Sequence, residues 1–147
     1  MSLLRVRAGT MLSAGRKMEL REMVYLSLLS TFAIVIHSLE IVFPSPLPWL
    51  RLGLANIITL VTLLLFSIKA GLFVTTIRVL VGSLITGSFL NPGFFLSLSG
   101  GVVSTLAMGL MISLFRNAFS PIGISLIGAF THNLTQIAMA YIMIVKR

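Results

Sequence analysis

The side chains best suited to chemistry in this chain are a few charged and amide groups set within long apolar segments. Arg78 lies near the middle of one such segment, and Asn56 and His132 lie inside two others. A charge or an amide inside a membrane is costly, so such residues normally line a cavity or bind a partner. We therefore treat them as candidate binding residues.

Arg78 has two interpretations. At helical spacing it shares a face with Gly71, Thr75, Gly82 and Thr86, all of which are small or polar. Because a guanidinium presents a bidentate fork to carboxylate or phosphate, this face could hold an anion. The structural alternative is that Arg78 donates hydrogen bonds to helix-end carbonyls inside a bundle.

Arg51 and Asn56 form a second candidate group near the start of another apolar segment. Arg51 follows Trp49, and this pairing is typical of an anchor at the membrane interface. Two other roles stay open for Arg51: an ion pair with Glu40, or a ligand contact. Asn56 lies deeper, where its amide either bonds a neighbouring helix or contacts a ligand.

The last apolar segment is rich in polar residues. His132 and Gln136 are one helical turn apart and share a face with Gly128, and Asn133 lies beside them. These side chains form either a polar pocket wall or hydrogen bonds between helices. Ser97, near the outer end of the preceding segment, is a further candidate ligand contact.

The sequence lacks the residues of several kinds of site. It contains no cysteine and no aspartate, and its three acids are Glu19, Glu22 and Glu40. Thiolate chemistry is excluded, and two histidines without aspartate make a poor metal site. No Walker loop is present, so the chain does not itself hydrolyse ATP. We predict no catalytic residue, no metal and no cofactor.

The elements that must position these residues are membrane-spanning helices. The chain is 57% hydrophobic and 10% charged, against roughly 25% charged residues in soluble domains. Its apolar blocks are near the length of about 20 residues that crosses a bilayer as a helix. We predict an all-α, polytopic transmembrane helix bundle with about five spans. These run roughly over residues 23–42, 49–68, 70–90, 94–115 and 122–145.

Charge distribution predicts organisation and orientation. Residues 1–17 form a basic leader, predicted to be disordered or interfacial, and residues 18–147 form a single transmembrane domain. The leader, Lys69 and Arg116 fall on one side of the membrane, which should be cytoplasmic. The basic residues flank spans rather than forming a stripe, so a nucleic-acid partner is not expected. Lipid is the expected surrounding, in the cell membrane.

Four motifs carry a family resemblance. They are Leu50 to Ile57, Arg78 to Ser83, Phe95 to Gly101, and Gly123 to Ser125 with the later His132-Asn133. Together, over about residues 23–141, they resemble the family labelled heptaprenyl diphosphate synthase component I, also called Gx transporter. That family is similar to the substrate-binding S components of energy-coupling-factor transporters.

The resemblance implies a fold and a function. S components have six helices, bind a vitamin-like nutrient from outside, and work with a T component and two ABC-type ATPases. Here the sixth helix is not apparent. S components meet the T component through small residues of the first span, and the nearest match here is Ser27 and Thr31.

On this basis we predict a substrate-binding subunit for ATP-driven uptake of a small anionic nutrient or precursor. Its site would lie toward the outer half of the bundle. The predicted contacts are Arg51, Asn56, Arg78, Ser97, His132, Asn133 and Gln136. The alternative is a non-catalytic membrane accessory of heptaprenyl diphosphate synthesis. Clustered aspartates usually hold the magnesium in that chemistry, and their absence argues against a catalytic role.

Overall fold

The computed structural model describes residues 19–42, 54–115 and 119–145, and the regular structure in these ranges is helical. The helices are α1 (Leu20–Val42), α2 (Leu54–Leu65), α3 (Ile68–Ile85), α4 (Pro92–Leu114) and α5 (Pro121–Val145). The predicted all-α bundle is therefore confirmed. Residues 1–18, 43–53, 116–118 and 146–147 lie outside the described residues, and they include the predicted leader, Arg51 and Arg116.

Three of the described helices are long and apolar enough to cross a membrane. They are Leu20–Glu40 of α1, with 21 residues, α3, with 18, and α4, with 23. Helix α2 has 12 residues, and residues 49–53 of the predicted span 49–68 lie outside the described residues. Helix α5, with 25 residues, is not among these three, and it carries the polar residues from Thr131 to Gln136 in its middle.

Consecutive helices from α2 to α5 run in opposite directions. Helix α3 packs against α1, α2 and α4, while α2 also contacts α4 and α5. The contacts that establish these directions are Asn56 with Arg78, Leu63 with Gly71, Thr75 with Gly101, Ile68 with Gly109, Gly100 with Gln136, and Met108 with Gly128. This alternation is what successive membrane crossings require.

Two predicted boundaries are wrong. The turn before α3 lies at Phe66 and Ser67 rather than at Lys69, because the Ser67 side chain accepts a hydrogen bond from the Ala70 amide and caps the helix. Helix α3 also ends at Ile85, five residues before the predicted end at 90. The chain turns there because Gly87 adopts a φ of 66°.

Apolar packing is concentrated toward the end of the bundle where α2 meets α3. One cluster, called here the apolar cluster, consists of Leu60, Leu63, Met108 and Ile124. Around the bundle, large apolar side chains such as Phe130 are mostly exposed. Such an apolar surface is compatible with contact with the hydrocarbon chains of lipids. The polar residues, by contrast, are collected inside, toward the opposite end.

Candidate functional site

Arg78 and Asn56 form a buried pair between α3 and α2. Each is only 2% exposed, and Arg78 Nη2 donates to Asn56 Oδ1 at 2.8 Å. A guanidinium has donors only, so this bond fixes which way the amide of Asn56 points. Arg78 makes a further contact as well, so it is held by more than this bond. Of the face predicted for α3, Gly71, Thr75 and Gly82 are buried with Arg78, whereas Thr86 is half-buried and follows the end of the helix.

Three threonine hydroxyls lie beneath this pair, one turn along each helix. Thr75 Oγ1 lies 3.2 Å from Thr59 Oγ1 and 2.9 Å from Thr105 Oγ1. The Thr105 hydroxyl donates a hydrogen bond to the Gly101 carbonyl oxygen, at 2.7 Å. It must therefore accept from Thr75, since each hydroxyl has one proton.

We call the five residues Asn56, Thr59, Thr75, Arg78 and Thr105 the polar layer. They join α2, α3 and α4 through side-chain hydrogen bonds that are buried inside the bundle. Bonds of this kind hold membrane helices in a particular arrangement. The polar layer therefore fixes the position of the guanidinium, and its threonines lie between Arg78 and the apolar cluster.

Two adjacent glycines of α4 connect the polar layer to α5. A Cβ atom at Gly101 would lie 3.6 Å from Arg78 Nη2 and 2.8 Å from Thr75 Cγ2. A Cβ atom at Gly100 would lie 3.0 Å from the His132 ring and 3.1 Å from Gln136 Cγ. Gly101 therefore lies against the Arg78 guanidinium, and Gly100 lies against the buried His132 ring and the Gln136 side chain of α5.

Three buried amide atoms lack hydrogen bonds within the described chain. They are Asn56 Nδ2 of the polar layer, and Asn133 Oδ1 and Gln136 Oε1 of α5. A buried polar atom without a partner costs about 1–3 kcal/mol. Such atoms are commonly satisfied by a bound molecule or an ordered water. Asn56 therefore retains an unused donor beside Arg78, and Gln136, which lies against Gly100, retains an unused acceptor.

The remaining predicted residues are placed differently. Ser97 is buried four residues before Gly101 on the same face of α4, and its hydroxyl donates to the Gly93 carbonyl oxygen at 2.8 Å. Ser27 and Thr31 are exposed on α1, and each donates to a carbonyl of its own helix. Arg51 lies outside the described residues. The structure therefore pairs Asn56 with Arg78 and places His132 and Gln136 together against Gly100, next to the glycine that lies against Arg78.

Sequence reasoning missed Thr59 and Thr105. Thr59 follows Asn56 by three residues, and Thr105 follows Gly101 by four, so each lies on the same face as a residue already singled out. That spacing was a usable signal. However, the hydroxyl of an isolated threonine in an apolar helix usually donates to a carbonyl of its own helix. The spacing alone therefore does not distinguish such a threonine from one that bonds a neighbouring helix.

Comparison with known proteins identifies one family. The family model described as heptaprenyl diphosphate synthase component I matches residues 29–147, which is most of the chain. The matched range includes every residue of the polar layer and the polar residues of α5. No curated protein and no solved structure matches the chain.

Proposed function

Because the chain belongs to the heptaprenyl diphosphate synthase component I family, we propose that it is a non-catalytic membrane component of heptaprenyl diphosphate synthesis. The match over residues 29–147 carries the proposal. Condensation of prenyl diphosphates usually needs magnesium held by carboxylates. The sequence contains no aspartate, and the described helices bring no three His, Asp or Glu side chains together. The metal chemistry would then belong to a partner component.

The contribution of this chain, in our proposal, is to bind an anionic group within the bundle. The supporting geometry is the pair of Arg78 and Asn56, held by the threonines of the polar layer. A preformed guanidinium in a site of low polarity attracts oxyanions more strongly than one in water. Gln136 and His132 would line the α5 side of this site. Ser97, Asn133 and Arg51 are proposed as peripheral contacts.

The experiment is a reconstituted synthesis assay. The purified chain, in phosphatidylcholine vesicles, is added to the catalytic partner component, and heptaprenyl diphosphate is quantified. We expect product formation to rise, and we expect Arg78→Gln to lose most of that rise. Arg21→Gln is the matched control, because Arg21 is exposed at the start of α1. If the wild-type chain has no effect on product formation, the proposal fails.

A second candidate is an S-component-like subunit for ATP-driven uptake of a small anionic nutrient. The observation that favours it is the concentration of buried polar side chains toward one end of the bundle, where a ligand could enter from one side. Ser27 and Thr31 would seat a T-component helix, since their exposed face is small. Accumulation of a labelled solute in vesicles containing T component and ATPases, dependent on ATP, would support uptake over synthesis.

Orientation is part of the proposal. Lys69 is exposed at the start of α3, Asn91 is exposed immediately before α4, and the sequence has no cysteine. Single cysteines at these two positions can therefore be labelled in intact cells with an impermeant maleimide. We propose that Asn91→Cys is labelled from outside and that Lys69→Cys is labelled only after the cells are opened. The reverse pattern would contradict a cytoplasmic Lys69.

A further inference from the structure

Phe94 is the first buried residue of α4. It shares one face of the helix with Ser97 and Gly101, which follow it at helical spacing and are also buried. Gly101 lies against the Arg78 guanidinium. Phe94, which is 6% exposed, therefore stands between Ser97 and the Asn91 end of this face. A small molecule that approaches Arg78 along α4 from that end must pass the Phe94 ring.

The Phe94 ring is in contact with the turn that joins α3 to α4, residues 86–91. Phe89 of this turn packs edge to face against Phe94, with the ring centroids 5.2 Å apart and the ring planes at 62°. An aromatic pair of this geometry stabilises more than its buried apolar area alone. Because Phe94 is buried and Phe89 is exposed, Phe89 contributes to the cover over Phe94.

The same turn holds an unfavourable backbone conformation at Leu90. Its φ is 62°, in the left-handed region that a bulky side chain rarely adopts. The Leu90 side chain is 62% exposed, so its own burial does little to offset this strain. Local hydrogen bonds hold the turn: the Asn91 amide donates to the Ser88 carbonyl oxygen at 3.2 Å, and the Ser88 amide donates to the Ser83 carbonyl oxygen at 2.8 Å. Release of such strain favours any arrangement in which the turn relaxes.

We propose that Phe89 and Phe94 form a gate over the buried polar residues, and that the strained turn sets how often the gate opens. The structure shows the closed state. Opening moves Phe89 off the Phe94 ring and returns Leu90 to a negative φ, so the strain that is released offsets part of the lost ring contact. The gate controls entry to the proposed anion site, and it rests on that site for the identity of the ligand.

The test measures how fast a thiol behind the gate reacts with a charged reagent. The sequence has no cysteine, so Ser97→Cys places a single thiol one helical turn inward from Phe94. The purified full chain in phosphatidylcholine nanodiscs is treated with the anionic reagent sulfonatoethyl methanethiosulfonate, and the modified fraction is followed by mass spectrometry. We expect slow reaction, whereas the same chain in SDS gives the rate for an accessible thiol.

Two further substitutions in this Ser97→Cys chain should shift the rate in opposite directions. Phe89→Ala removes the ring over Phe94 and should speed the reaction by about tenfold or more. Leu90→Gly relieves the strain of the closed turn and should slow the reaction by about fivefold or more. Leu90→Ala keeps the Cβ that makes the left-handed φ unfavourable, and Phe130→Ala removes an exposed ring of α5. These two controls should leave the rate unchanged.

Three results would overturn the gate. The first is a parent rate close to that in SDS. The second is equal rates with and without Phe89→Ala, including no reaction of either chain. The third is faster reaction in both Phe89→Ala and Leu90→Gly, which would refute the role of the strained turn. If Phe89→Ala is not monodisperse, Phe89→Leu, which keeps most of the volume but loses the ring contact, replaces it.

Binding of ³²P-labelled diphosphate separates the gate from the anion site. A gate that is closed both with and without ligand changes the rates of entry and exit alike. Phe89→Ala should therefore speed association and dissociation of diphosphate together and leave the affinity almost unchanged. If the thiol rates shift as expected but diphosphate does not bind, the gate stands and the anion site fails. If diphosphate binds and the thiol rates do not shift, the gate fails and the anion site stands.

Discussion

The two buried regions of this bundle differ in what holds them together. In the apolar cluster, Leu63 and Met108 are fully buried and pack by shape alone. In the polar layer, Thr75 and Arg78 are equally buried but are joined to other helices by hydrogen bonds. Lipid is as apolar as leucine, so burying leucine between helices stabilises mainly through close packing. Hydrogen bonds between side chains add specificity, because each one requires a particular residue of one helix to meet a particular residue of another.

We therefore expect the two regions to have different roles. The apolar cluster should determine how stable the bundle is, whereas the polar layer should determine where Arg78 stands and what it binds. Substitutions in the first region should therefore lower the free energy of unfolding without changing anion binding. Substitutions in the second should change binding with a smaller effect on stability. The following predictions test that separation.

The largest loss of stability is expected from Leu63→Ala. Leu63 is fully buried, and its Cδ2 atom packs against Gly71 of α3, so truncation leaves a cavity. We expect the free energy of unfolding in mixed micelles to fall by about 2–5 kcal/mol. Leu65→Ala, at an exposed position on the same helix, should cost much less. Equal losses in the two variants would contradict the packing assigned to α2.

A methyl group at Gly101 tests the junction between the polar layer and α4. Its Cβ would lie 2.8 Å from Thr75 Cγ2, so Gly101→Ala should displace Thr75 and lower stability by about 1–3 kcal/mol. At Gly123 the nearest atom is 3.5 Å away, which is ordinary contact. Gly123→Ala should therefore be neutral or stabilising by up to about 1 kcal/mol, since alanine favours helix. Urea or SDS titrations would measure both.

The smallest expected effects come from two threonines with the same burial. Thr75 and Thr62 are both fully buried, but Thr62 donates only to the Ile58 carbonyl oxygen of its own helix. Thr75→Val removes bonds to two other helices and should cost about 1–2 kcal/mol. Thr62→Val should stay within about 0.5 kcal/mol. If the two variants are equally stable, the hydroxyls of the polar layer do not link the helices.

Much of this fold is predictable from the sequence. Apolar blocks of span length predict helices in the right places, and the small residues beside Arg78 predict which face of α3 is buried. The end of α3 is not predicted because the polar residues Thr86, Gly87 and Ser88 form only a short break before Phe89 and Leu90, and the left-handed φ of Gly87 is visible only in the structure. The cap by Ser67 was missed in favour of a turn at Lys69, since a charge is a more visible signal than a hydroxyl.

The site is predictable only in part. Arg78, Asn56, His132 and Gln136 stand out because polar side chains are costly in an apolar segment. Their pairing depends on the register between helices, which one helix does not encode by itself. Thr59 and Thr105 acquire their role only through Thr75, a residue of a third helix. Such contacts arise from packing, so periodicity within one segment does not reveal them.

The central claim is that the polar layer binds an anion through Arg78, and the most direct measurement is the affinity of ³²P-labelled diphosphate for the chain in phosphatidylcholine nanodiscs. Removing one member of a buried charged pair usually weakens binding by about 30-fold or more. We predict that loss for Arg78→Gln and unchanged affinity for Arg21→Gln, with both variants folded. Equal affinities for the wild type and Arg78→Gln would contradict the account.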